Sequence, residues 1–152
     1  MTNLRTTCAS LLFAAALTTL GCNSTSKPVS GDASSDVSFP EDPYQVVLSQ
    51  HGTAQVSAWT APNQPPIRGT ITVKLLVVNA ANSVTEDGLK LDVALVMPTM
   101  GHGTSVIPQI SPVGEGIYIV TDVNLFMAGR WNLDTTMSGN INDNVTIPID
   151  LQ

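Results

Sequence analysis

Apolar residues in this chain recur at every second position, in short runs separated by turn residues, and that period sharply limits the folds open to it. Ile71, Val73, Leu75 and Val77 alternate with Thr72, Lys74 and Leu76. Leu89, Leu91, Val93, Leu95 and Met97 form a second run. Ile117, Ile119, Val123, Leu125 and Met127 share a phase broken only at Thr121. Trp131, Leu133, Thr135 and Met137 make a further run, and Val145, Ile147, Ile149 and Leu151 the last. Side chains on a strand alternate between its two faces, so each run predicts a strand with one buried face. Two earlier runs, 44–49 and 55–60, bring the total to about seven. Glu86-Asp87-Gly88, Gly114-Glu115-Gly116, Ala128-Gly129 and Asn142-Asp143-Asn144 punctuate the runs as turns. Past the first 21 residues no helical period is present. The expectation is an all-β fold, a single immunoglobulin-like antiparallel β-sandwich of about seven strands. Trp131 suits the anchor of such a core, and Tyr118 suits a corner where its hydroxyl caps a backbone group.

Residues 1–21 read as an address to be kept apart from the fold. One cation, Arg5, precedes an apolar run from Cys8 to Leu20, which Gly21-Cys22 closes before polar Asn23-Ser24-Thr25. That is the pattern of a secretory signal peptide, too short for a membrane span. Thr19-Leu20-Gly21-Cys22 resembles a bacterial lipobox, with Thr19 in place of the usual leucine. The resemblance implies a lipidated, palmitate-bearing Cys22 as the first mature residue; the alternative is ordinary cleavage and a soluble periplasmic protein. Asn23, where an aspartate would retain a lipoprotein in the inner membrane, points to the outer membrane, facing the periplasm. Residues 22–43 are rich in Ser, Thr, Gly, Asp and Pro, bury too little to offset ordering entropy, and read as a flexible tether. Residues 44–152 are then the folded domain.

This division removes thiol chemistry. The chain has two cysteines; Cys8 leaves with the leader and Cys22 carries lipid, so no disulfide or thiolate ligand is expected in the domain. The net charge is −6, and loss of Arg5 makes it more negative. No basic cluster exists, which argues against nucleic acid as a partner. Enzymatic function is not expected either. A triad needs a histidine base, and only His51 and His102 are present; His51 has no acidic residue near it in sequence. No glycine-rich phosphate loop precedes a helix, and no carboxylate pair is marked out as acid and base.

The chemistry that stands out is Met-Pro-Thr-Met-Gly-His-Gly at 97–103. Met97 shares the inward phase of its run and lies at the end of the core. Met100 and His102 follow in a loop whose glycines, 101 and 103, permit tight turning. Met127, at the end of another inward-phased run, can approach the same place as a fourth donor. Thioether sulfur and neutral imidazole suit copper, above all Cu(I). The competing reading is that Met97 and Met127 fill gaps in the core and His102 fixes its loop.

Taken in order, 97–103, then Gly116-Ile117-Tyr118, then 123–133 with Met127, Gly129 and Trp131, the chain resembles the YtkA-like domain, which is similar to FixH-type proteins. The resemblance covers roughly residues 71–136. It implies a small extracytoplasmic β-sandwich, often membrane- or lipid-anchored, of a kind recurring alongside copper handling, heavy-metal efflux and cytochrome oxidase maturation. Carried over by position, the metal-ligand candidates are Met97, Met100, His102 and Met127. A lipoprotein-like leader in place of the retained transmembrane helix of FixH-type members departs from an oxidase-assembly role. Two functions follow as expectations. One is a copper-binding or copper-delivering lipoprotein of the cell envelope. The other is a metal-free interaction module of an envelope complex, bound to a protein partner.

Overall fold

A computed structural model describes residues 37–152. The leader, Cys22 and residues 22–36 of the tether lie outside the described residues. Nine strands run in order: β1 (Gln45–Leu48), β2 (Ala54–Ala61), β3 (Gly69–Asn79), β4 (Lys90–Met97), β5 (His102–Gly103), β6 (Gln109–Gly114), β7 (Ile117–Leu125), β8 (Gly129–Ser138) and β9 (Asp143–Leu151). They form two antiparallel sheets, ordered β1-β2-β3-β7-β6 and β5-β4-β8-β9. The fold is an all-β sandwich, with two strands more than the hydrophobic runs indicate. The additional ones are β5, only two residues long, and β6, whose Gln-Ile-Ser-Pro-Val-Gly carries no regular alternation and stays largely exposed at a sheet edge.

The inward rows of β3, β4, β8 and β9 follow the sequence pattern. Ile71 to Val77, Leu89 to Met97, Trp131 to Met137 and Val145 to Leu151 are all buried at alternate positions. Burying these rows between two sheets is the main favourable contribution to folding. β7 departs from its expected phase. Tyr118 and Val120 are buried, whereas Ile117 and Ile119 are only half-buried. The reason is a bulge: Ile71 pairs with Val123 but Val73 pairs with Val120, so β7 carries one extra residue. Asp122 takes it up with φ of 58°, which flips the phase and returns Val123 and Leu125 to the core. β7 ends at Leu125, so Met127 lies beyond the strand, in the β7–β8 turn.

Tyr118 forms the expected corner. Its buried hydroxyl accepts from the Leu89 N–H and donates to the Glu86 carbonyl, both at 3.0 Å. The β3–β4 connection is thereby tied to sheet β1-β2-β3-β7-β6. Residues 37–43, which the sequence places in the tether, lie along the outer face of that sheet. Lys74 sits 4.0 Å from the Trp59 ring and 5.2 Å from that of Phe39, and Trp59 Nε1 donates to the Glu41 carbonyl.

Candidate metal centre

Strand ends gather the Met/His segment at one end of the sandwich. β4 finishes at Met97, β8 begins at Gly129 opposite Leu151, and β7 finishes at Leu125 opposite Gly69. Met97 and His102 are direct cross-strand partners in the β4–β5 hairpin. Directly opposed residues of an antiparallel pair point to the same face, with Cβ atoms roughly 5 Å apart. Met97 faces the core, 4% exposed, so His102 stands on that face at the open edge of the sheet. The four loop residues 98–101 close the hairpin, and the Met97 carbonyl accepts from the N–H groups of Met100 (3.1 Å) and Gly101 (3.0 Å). Gly101 takes φ of 67°. At Gly103 the constraint is different, since a Cβ there would overlap the Leu95 carbonyl oxygen.

The other wall comes from the β7–β8 turn. Gly129, at φ of 120°, comes so close to Met97 that a Cβ would lie 2.8 Å from the Met97 Cε. The thioether end of Met97 therefore rests against a residue two positions after Met127. The Met127 carbonyl accepts from Trp131 Nε1 at 3.0 Å, which ties the turn to the buried indole. Continuing the β4–β8 register one step past Val96–Asn132 sets Met97 beside Trp131. Across the inner face the order is His102, Met97, Trp131, Ile149.

The four candidate ligands occupy two adjoining turns but differ in depth. Met97 is buried, Met100 and His102 are exposed, and Met127 is near the boundary. Met97 and His102 are brought together by strand pairing, and Met100 is bound through its backbone to Met97. Met127 lies in the β7–β8 turn, two residues before the Gly129 that Met97 packs against, rather than on the inward strand phase expected of it. The His102 ring nitrogen Nδ1 lies 3.3 Å from the Gly103 carbonyl, and Nε2 has no hydrogen-bond partner among the described residues. Among the described residues no three His, Cys, Asp or Glu side chains gather as a metal site. Beside the site Arg130 forms a two-pronged ion pair with Asp150, at 2.8 and 2.9 Å.

A second polar cluster, at the opposite end, escaped the sequence reading. Asp143, expected in a turn, opens β9 with its carboxylate fully buried. It accepts from the hydroxyls of Ser49 and Thr53, both at 2.6 Å, from His51 Nδ1 at 2.8 Å and from the Asn144 N–H at 2.8 Å. Burial alone would raise its pKa; the hydrogen bonds from Ser49, Thr53, Asn144 and His51 outweigh burial and hold it well below the usual carboxylate range. Ser, His and Asp meet here, but not as a triad. The Ser49 hydroxyl donates to Asp143 and accepts from the Ala54 N–H, so it is not aligned on the imidazole as a nucleophile would be. The cluster clasps the β1–β2 hairpin to β9.

Comparison with known proteins adds no relative: no protein-family model, no curated protein and no solved structure matches the chain.

Proposed function

We propose that this protein is an extracytoplasmic lipoprotein, anchored through Cys22 in the outer membrane facing the periplasm, that binds and hands on Cu(I) at the Met/His end of its sandwich. The observation carrying this reading is the Met97–His102 pair, set against the turn that holds Met127. A buried thioether beside an exposed imidazole, with a second thioether in the joining loop, offers soft, neutral donors with one side open to solvent. Soft donors select Cu(I) over harder cations, and an open side suits release to another protein. The resemblance to YtkA-like domains drawn from sequence motifs over roughly residues 71–136, which no family model matches, would imply the same reading. Met97, Met100 and His102 would hold the ion, with Met127 completing the set.

Titration of the protein with Cu(I) under reducing conditions, against a competing chelator, tests the proposal. The triple variant Met97→Leu/Met100→Leu/His102→Ala should lose at least about 1.4 kcal/mol of binding energy, a tenfold weakening. Acidification should also weaken binding, since a protonated imidazole has no lone pair to give. Equal affinity in the wild type and the triple variant would sink the assignment.

A further inference from the structure

The Met/His end is also the apolar end. Seven of the eleven large apolar side chains that stand exposed among the described residues are here: Val37, Ile67, Met100, Val106, Ile107, Phe126 and Met127. All but Val37 come from four connections, those joining β2 to β3, β4 to β5, β5 to β6 and β7 to β8. Ile107 is 76% exposed and Phe126 62%. Apolar tips on four separate loops, converging at one end, mark a surface that meets something less polar than water.

A further observation says what covers it. The described chain begins at this end: Val37 and Ser38 lie beside Ala61 and Pro62 at the close of β2 and Thr70 at the start of β3. Cys22 is fifteen residues upstream of Val37, a span of at most about 50 Å even when fully extended. An anchor there would be joined to the domain at its apolar end.

We infer that the anchored protein rests this end of the sandwich on the lipid bilayer, with Ile107 and Phe126 reaching the headgroup region. The inference rests on the anchor proposed above and is independent of copper. Its orientation places the Met/His site at the membrane surface, where cargo would pass to or from a membrane-embedded partner.

The test uses the full-length protein, isolated from membranes and reconstituted in vesicles that contain anionic lipid. Single cysteines in Ile107→Cys, Phe126→Cys and Val84→Cys carry an environment-sensitive fluorophore, Val84 being an exposed residue near the opposite end. Labels at 107 and 126 should shift to the blue and be quenched by spin-labelled lipid, and the label at 84 should do neither. Equal spectra at all three positions would overturn the inference. So would a shift at 126 that lipid spin labels do not quench, or one that disappears when the protein is diluted in lipid; these indicate a protein partner and a second copy respectively. Wild type, with Cys22 blocked by lipid, should take no label. Labelling of wild type overturns the anchor itself, and that failure is read separately from the others.

Discussion

Single residues set the Met/His end, and Gly129 is the clearest case. Its φ of 120° is one that side-chain-bearing residues rarely adopt, and its missing Cβ leaves room for the end of Met97. Gly129→Ala should cost about 1–3 kcal/mol through backbone strain and overpacking, visible as a lower denaturant midpoint. It should also weaken Cu(I) binding by displacing the Met97 thioether. Unchanged affinity in a folded Gly129→Ala protein would take Met97 out of the ligand set. Tyr118 is a structural counterpart. Removing its hydroxyl in Tyr118→Phe strands the buried Leu89 N–H, at a cost of about 1–3 kcal/mol in stability. Copper affinity should not change, because that hydroxyl serves the opposite end of the sandwich.

At the level of strands and turns, the Asp143 clasp makes a pH prediction. Its folded pKa is depressed relative to an unfolded aspartate at about 3.9. The clasp therefore contributes fully above that value and is lost as pH falls below it. Asp143→Asn should destabilise the protein by about 3 kcal/mol at neutral pH and flatten the fall in stability below about pH 4. Thermal unfolding of both proteins across that range checks the sign; parallel acid limbs would show that the clasp is not the group responsible. The same strands show what was legible beforehand. β3, β4, β8 and β9 could be read residue by residue, because each has one buried face and an unbroken period of two. β7 could not, because the extra residue at Asp122 reverses the phase within a strand. Met127 falls in a turn rather than on the inward row because β7 ends at Leu125. β5 is too short to show a period, and β6 lies at an edge with little to bury. The clasp was invisible because its partners lie about ninety residues apart, His51 and Asp143 at 92. A tight turn after Met97 was legible, since its glycines are local, but the pairing of His102 with Met97 in a hairpin was not.

The whole molecule has two unlike ends. One is locked by the buried polar contacts of Asp143; the other is apolar, with soft donors and the start of the described chain. Copper bound only by the folded state stabilises that state by mass action, about 2.7 kcal/mol when free ion is a hundred times the dissociation constant. Melting temperature should therefore rise with Cu(I) in the wild type and not in the triple variant. The most direct measurement is X-ray absorption at the copper edge of the Cu(I)-loaded protein. The account predicts sulfur and imidazole nitrogen in the first coordination shell, with the sulfur signal reduced in Met97→Leu/Met100→Leu. A shell of oxygen and nitrogen alone, or one unaltered by those substitutions, would contradict it.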